Sequence, residues 1–98
     1  AEALSERVHY PLGQAAVLEA RGMTSELPAA REVLVRAREA WEQLGRPLDA
    51  ARCELLLGTR LREHDAAAAA DTLARAGARY ERLGVEHLAR RARDLIAA

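Results

Sequence analysis

An internal repeat of two helices constrains this chain more than any other feature. The second helices of the two copies align at an offset of 39 residues, and the first helices align at an offset of 36, which places Gly22 under Gly58. The matched positions of the second helices are Ala30, Leu34, Ala37, Trp41, Leu44 and Gly45, then Ala69, Leu73, Ala76, Tyr80, Leu83 and Gly84. A two-helix repeat of about 34–40 residues is the signature of an α-solenoid.

The sequence therefore predicts an all-α fold, an α-solenoid of antiparallel helix pairs with about five to six helices in one domain. The predicted units are a first repeat over about 12–45, a second repeat over about 48–84 and a capping helix over about 86–97. The capping helix is apolar on one face and carries Arg90, Arg91 and Arg93 on the other, as a helix at the end of a solenoid would. Residues 1–8 resemble the tail of a further helix, so we expect the chain to be excised from a longer protein.

Local signals place the helices at about 12–23, 26–44, 48–63, 66–83 and 86–97. Thr24 or Ser25 is expected to cap the second helix, and Asp65 to cap the fourth after a two-residue turn with His64. Gly45 and Gly84 are expected to end the second helix of each repeat in the left-handed conformation.

Charge and hydropathy exclude several functions. Fifteen arginines and no lysine balance fifteen acidic residues, so we expect no direct nucleic-acid binding, which needs an excess of cationic contacts to phosphates. No apolar run reaches the ~18 residues of a membrane span, and we expect no signal peptide. Cys53 is the single cysteine and is expected to fill space in the core. A cytoplasmic location fits its reduced state.

The sequence contains no arrangement of residues that indicates catalysis. The phosphate-binding patterns GxxxxGK[ST] and GxGxxG are absent, and the three histidines do not have the spacing of metal ligands. No serine or threonine has a neighbouring general base that the sequence can place. We therefore expect no enzymatic activity, no cofactor and no metal.

One group of positions resembles the tetratricopeptide (TPR) pattern, in which small residues let two helices meet and large residues fill the gap beside them. Those positions are Leu57, Gly58, Leu61, Ala69, Leu73 and Ala76. Gly58 and Ala76 are accordingly expected where helices nearly touch. Glu54 departs from the pattern, because the family usually has tryptophan there.

A narrower resemblance concerns four blocks, which are similar to the C-terminal helical repeats of large ATP-binding regulators of the LuxR type, common in actinobacteria. The blocks are Trp41–Arg52, Glu54–Gly58, Tyr80–Gly84 and Ala89–Leu95. In that family an ATPase precedes the repeats and a DNA-binding helix-turn-helix domain follows them. The resemblance implies a non-catalytic module that receives a protein, a peptide or a small inducer and signals to those two domains.

An alternative is a structural spacer or self-association module in another ATPase-linked signalling protein, such as a cyclase or a kinase. In that case a homodimer would form through the N-terminal helices. The residues expected near such a contact are Leu4, Val8, Leu12, Val17 and Leu18.

The resemblance to tetratricopeptide repeats also implies a partner on the concave surface built by successive first helices. The residues expected there are Glu19, Met23, Arg52, Leu55, Thr59, Arg62 and Arg91. The three arginines would bind an acidic partner, since guanidinium groups form paired hydrogen bonds with carboxylates. The alternative is a solvated helix surface, because arginine is abundant throughout the chain.

Overall fold

The computed structural model describes residues 12–24 and 26–98, and these residues form five α-helices and no strand. The helices are α1 (Leu12–Thr24), α2 (Leu27–Gln43), α3 (Pro47–Leu61), α4 (Ala66–Arg82) and α5 (Glu86–Ala97). The predicted all-α class is confirmed, and the predicted helix ends agree with the structure to within two residues. The expected helix tail at residues 1–8, including Leu4 and Val8, lies outside the described residues.

Each helix packs mainly against the helices that precede and follow it in the chain. Among the described residues, the extensive contacts join α1 with α2, α2 with α3, α3 with α4 and α4 with α5. Buried residues accordingly form three clusters, one around Trp41, one around Leu61 and one around Tyr80. Hydrophobic burial is therefore distributed along a row of helices, whose overall extents are 46 × 31 × 18 Å.

A glycine of α1 and a glycine of α3 each face a leucine of the next helix. A Cβ atom added to Gly22 would overlap Leu34 Cγ, and one added to Gly58 would lie 2.6 Å from Leu73 Cγ. These separations are well below van der Waals contact, so the helices can approach this closely only where the side chain is a hydrogen atom. The contact predicted at Gly58 is confirmed, and Ala76 is fully buried, as expected.

The second helix of each repeat ends in the same hydrogen-bonded turn. Gly45 has φ = 70° and Gly84 has φ = 78°, so both adopt the left-handed conformation that the sequence predicted. The amide of Arg46 donates to the Trp41 carbonyl at 2.9 Å, and the amide of Val85 donates to the Tyr80 carbonyl at 2.9 Å. This is the Schellman arrangement, and it starts the following helix in the same direction in both repeats.

The connection between α3 and α4 differs from the prediction. The amides of His64 and Asp65 both donate to the Leu61 carbonyl, at 3.0 and 2.8 Å. These bonds close α3 at Leu61, so Arg62 and Glu63 lie in the turn and not in the predicted helix, and the predicted two-residue turn is wrong.

The structure describes one of the two predicted helix caps. Asp65 is the N-cap of α4, and its carboxylate accepts a hydrogen bond from the amide of Ala68 at 3.1 Å, as predicted. The N-cap of α2 is Glu26, whose side chain makes no capping hydrogen bond. The predicted cap by Thr24 or Ser25 falls on side chains that lie outside the described residues. A proline in the first turn of α2 supplies a helical φ angle at the point where no amide hydrogen is needed.

Candidate functional site

Three helices meet at the carboxylate of Glu19. Glu19 on α1 accepts hydrogen bonds from Arg52 Nε at 2.6 Å and Arg52 Nη2 at 2.7 Å, which is the bidentate geometry of a strong ion pair. Trp41 Nε1 of α2 donates to the same carboxylate at 3.0 Å. Arg52 also donates from Nη1 to Asp49 at 2.6 Å. This cluster, which we call the Glu19 cluster, ties α1, α2 and α3 together.

The charges of the Glu19 cluster change the acidity of its neighbours. Hydrogen bonding to Glu19 raises the pKa of Arg52, although burial opposes this change. Burial raises the pKa of the Cys53 thiol to about 12, and the negative charge of Glu19 adds to the effect. Cys53 is only 1% exposed, so it fills space in the core, as the sequence predicted, and its thiol stays un-ionised at neutral pH.

A second ion-pair cluster joins α2, α3 and α4. Glu54 is only 3% exposed, and it accepts a hydrogen bond from Arg79 Nε at 2.8 Å. Arg79 also donates from Nη2 to Glu42 at 2.6 Å, and Arg38 Nη1 lies 3.9 Å from the second Glu54 oxygen. Burial alone would lower the pKa of Arg79, but these two carboxylates raise it. The charge of the buried Glu54 is therefore compensated by Arg79 and Arg38.

An open groove of about 350 Å³ lies between the C-terminal ends of α3 and α5, and we call it the α3–α5 groove. The N-terminal half of α4 forms its floor. The lining residues are Thr59, Arg62, Glu63, Ala66, Ala69, Ala70, Leu73, Leu95, Ile96 and Ala98. Small alanines on the floor leave room above them, and Ile96 on the wall is 41% exposed. The groove can therefore bind an apolar group beside two charged side chains.

The seven predicted site residues fall into different places. Glu19 and Arg52 bind each other, so a partner of Arg52 would have to compete with Glu19 and Asp49. Thr59 and Arg62 line the α3–α5 groove.

The other three predicted residues do not line this groove. Met23 and Arg91 are exposed on α1 and α5, and Leu55 is half-buried against the Tyr80 cluster. Sequence reasoning did not assign Leu95 and Ile96 to a site, because the one-sided pattern of α5 placed them on the face that packs inward.

A second cavity of about 280 Å³ is lined by residues of α1 and α2. Its lining residues are Gly13, Gln14, Val17, Leu18, Arg21 and Arg36. Val17 is 56% exposed there, and Leu12 on the same helix is 52% exposed. This surface is the second candidate for an interaction.

Comparison of the chain with protein-family models, with curated proteins and with solved structures found no match. Within residues 12–24 and 26–98, no group of three or more His, Cys, Asp and Glu side chains could hold a metal ion. None of the five described helices is both long and apolar enough to cross a membrane.

Proposed function

We propose that this chain is a non-catalytic interaction module, an α-solenoid of tetratricopeptide type, which binds a protein, a peptide or a small inducer in the α3–α5 groove. The observation that carries the proposal is the open groove between two first helices, α3 and α5, with Thr59 and Arg62 on its wall. The packing of each helix on its chain neighbours supports the solenoid, as do the equivalent contacts of Gly22 with Leu34 and of Gly58 with Leu73.

The proposed parent protein is a LuxR-type, ATP-dependent transcriptional regulator of the cytoplasm. Support for this part comes from the four sequence blocks that resemble such regulators, which include Trp41–Arg52 and Tyr80–Gly84. Occupation of the groove would change how the repeats contact the ATPase and DNA-binding domains of that protein. The module itself contributes neither catalysis nor nucleic-acid binding in this proposal.

A thermal-shift screen of peptides and small molecules tests the groove. A ligand that binds the folded state alone raises the melting temperature with its concentration. We expect such ligands to stabilise the wild type and Leu48→Glu but not Ile96→Glu. Leu48 is 47% exposed at the opposite end of α3 from the groove, so Leu48→Glu is a matched control for an added surface charge. Ligands that stabilise Ile96→Glu as much as the wild type would contradict the proposal.

A second candidate function is self-association as a structural spacer in an ATPase-linked signalling protein. The observation in its favour is the exposure of Leu12 and Val17 beside the α1–α2 cavity. Exposed apolar surface of this kind is commonly buried by another molecule. A molecular mass that rises with protein concentration in the absence of any ligand would favour this function over the sensor.

A further inference from the structure

The carboxylate of Glu19 lies in a set of donors that belong to other helices. Arg52 donates from Nε to Oε2 at 2.6 Å and from Nη2 to Oε1 at 2.7 Å. Trp41 Nε1 donates to Oε1 at 3.0 Å, and the Cys53 thiol donates to the same oxygen at 3.7 Å. In these four contacts α1 contributes the acceptor, and α2 and α3 contribute the donors.

The donors are held in place by contacts that do not involve Glu19. Arg52 also donates from Nη1 to Asp49 at 2.6 Å, and its guanidinium lies 5.9 Å from the centroid of the Trp41 ring. Arg46 lies 5.5 Å from the centroid of the same ring, and its Nε is 3.0 Å from Asp49. Trp41 is 5% exposed and packs in the core, so its indole keeps its orientation. The site on α2 and α3 is therefore preformed, which lowers the cost of binding a ligand there.

The charge and shape of this site favour a carboxylate. Arg46 and Arg52 contribute two positive charges and Asp49 contributes one negative charge, so these three side chains give a net charge of +1. The fork of a guanidinium group matches the two oxygens of a carboxylate. Glu19 supplies such a group from within the chain.

The repeat does not require an ion pair at this position. Leu55 and Arg91 occupy the equivalent positions in the next repeat, and Arg91 is exposed. The contacts that recur in both repeats join a glycine to a leucine, and they involve neither Glu19 nor Arg52. Glu19 therefore acts as a ligand added to a helix whose spacing is set elsewhere.

The site is also accessible, and α1 buries little apolar surface around it. Leu18 is the only large apolar side chain that is buried among residues 12–23, and the other large ones there are more than half exposed. The Arg52 side chain is 43% exposed, whereas that of Glu19 is 12% exposed. A ligand can therefore reach the guanidinium group from solvent, and it has one side chain of α1 to displace.

We infer that α2 and α3 carry a preformed carboxylate-binding site, that Glu19 occupies this site within the chain, and that a ligand with a carboxylate group can take the place of Glu19. Arg52 and Trp41 bind the carboxylate, and Asp49 positions Arg52. The inference goes beyond the proposed function, because none of these residues lines the α3–α5 groove.

The test removes the carboxylate of Glu19 and supplies another from solution. Glu19→Ala leaves space for acetate, which should raise the melting temperature of this variant by about 3 °C or more over chloride at equal ionic strength, once acetate exceeds its Kd several-fold. Acetamide has the same shape without the charge and should give no rise. Trp41 is the only tryptophan of the chain, so its fluorescence should change with the same half-saturation as the melting temperature.

Two equivalent arginines supply the matched control. In the Glu19→Ala background, Arg52→Gln should abolish the effect of acetate, whereas Arg91→Gln should leave it intact. Ile96→Glu in the same background should also leave it intact, since Ile96 lies in the α3–α5 groove. A rise in melting temperature that survives Arg52→Gln, or that leaves the fluorescence of Trp41 unchanged, would place the bound ion elsewhere and overturn the inference.

A second variant keeps the test decisive if Glu19→Ala does not fold. Glu19→Gln keeps the size of the side chain but competes less well than a carboxylate for the guanidinium group. The apparent affinity for acetate should therefore be highest for Glu19→Ala, lower for Glu19→Gln and at least about tenfold lower for the wild type than for Glu19→Ala. Equal responses to acetate and chloride in every variant that folds would overturn the inference and leave the proposed function intact.

A comparison of two carboxylates distinguishes the sources of the ligand. The peptide probe is acetylated, amidated Gly-Glu-Gly, and its control is the same peptide with glutamine. Tighter binding of the glutamate peptide than of acetate to Glu19→Ala would assign the site to an acidic side chain of a protein or peptide. Tighter binding of acetate would assign it to a small organic acid. Equal binding of the glutamate and glutamine peptides, without an effect of acetate, would contradict recognition of a carboxylate.

Discussion

The two repeats share their buried contacts but differ in the chemistry of equivalent positions. Where α1 meets α3, Glu19 binds Arg52 through two hydrogen bonds. At the equivalent positions of the next repeat, Leu55 replaces Glu19 and Arg91 replaces Arg52. Leu55 packs against the Tyr80 cluster, and Arg91 is exposed. Equivalent backbones therefore carry an ion pair in one repeat and an apolar contact with a solvated arginine in the other.

This difference separates the positions that set the helix spacing from those that are free to change. The glycine–leucine contacts are the same in both repeats, because each sets how closely two helices approach. The charged residues vary, because either an ion pair or an apolar contact can fill the space between first helices at a similar net free energy. The ion pair between Glu19 and Arg52 contributes stability, and the open α3–α5 groove is the candidate binding surface.

The largest expected effect comes from enlarging a glycine that sets the helix spacing. Gly58→Leu would force α3 and α4 apart, since even a Cβ atom would lie 2.6 Å from Leu73 Cγ and 3.3 Å from the Leu73 backbone nitrogen. The free energy of unfolding should fall by about 3 kcal/mol, and Gly22→Leu should cost a similar amount if the repeats are equivalent. Urea denaturation of both variants measures this.

Gly77→Ala is the matched control for the glycine series. Its Cβ atom would lie 3.5 Å from Ala92 Cβ, which is ordinary contact, and alanine favours a helix over glycine by about 1 kcal/mol. Gly77→Ala should therefore leave stability unchanged or raise it, whereas Gly58→Ala should lower it. If both alanine variants behave alike, Gly58 does not set the spacing.

The next effect distinguishes the two equivalent arginines. Arg52→Ala removes three hydrogen bonds and leaves Glu19 with the Trp41 indole as its remaining strong donor, so it should cost about 1–2 kcal/mol. Arg91→Ala removes an exposed side chain and should change stability by less than about 0.5 kcal/mol. If urea denaturation gives both variants the same loss in free energy of unfolding, the ion pair stabilises the fold no more than a solvated arginine does.

A smaller effect is expected at alkaline pH, because the thiol of Cys53 is harder to ionise in the folded state. Its pKa is raised from 9.0 to about 12, so the unfolded chain releases this proton first. The contribution of this thiol to the free energy of unfolding should stay constant below pH 9 and fall as the pH rises towards 12. Cys53→Ala should reduce that fall.

Tyr80 supplies the control for the alkaline series, because burial raises its pKa as well. Its contribution begins above pH 10, which is the ordinary pKa of a tyrosine. Tyr80→Phe should therefore leave the fall between pH 9 and pH 10 in place. A pH profile that Cys53→Ala leaves unchanged would show that the thiol does not titrate differently in the two states.

The smallest effect on stability is expected at the N-terminal surface. Val17 is 56% exposed, so Val17→Glu should change the free energy of unfolding by less than about 0.5 kcal/mol. If the chain self-associates through α1, the same substitution should abolish the dimer in sedimentation equilibrium while Ile96→Glu leaves it intact. A dimer with the opposite response would place the contact at α5.

The positions that repeat at offsets of 36 and 39 were enough to predict the helices and the close contact at Gly58. Small residues, such as Ala37 and Gly58, and large ones, such as Leu73, occur at the same steps in both copies, and the structure buries them all. Gly45 and Gly84 were predictable because few other residues adopt a positive φ after a helix.

The ion pairs and the end of α3 could not be predicted in the same way. Arg52 and Glu19 are 33 residues apart, and their contact depends on the rotation of α1 relative to α3, which helical periodicity does not fix. Arg62 and Glu63 continue the helical pattern of α3, but the amides of His64 and Asp65 bond to the Leu61 carbonyl and end the helix earlier. Because α3 ends at Leu61, Arg62 and Glu63 of the following turn form part of the groove wall. The residues of this wall were therefore only partly predictable.

The packing of each helix on its chain neighbours also has a kinetic consequence. The contacts that stabilise the fold join segments close together in sequence, so few long loops have to close before stabilising contacts form. Such chains typically fold within microseconds to milliseconds. Each helix also depends mainly on its neighbours, so α5, with one neighbouring helix among the described elements, is expected to exchange its amide hydrogens faster than α3, which has two. The wall of the groove that carries Leu95 and Ile96 therefore belongs to the part of the stack that can open without unfolding the rest.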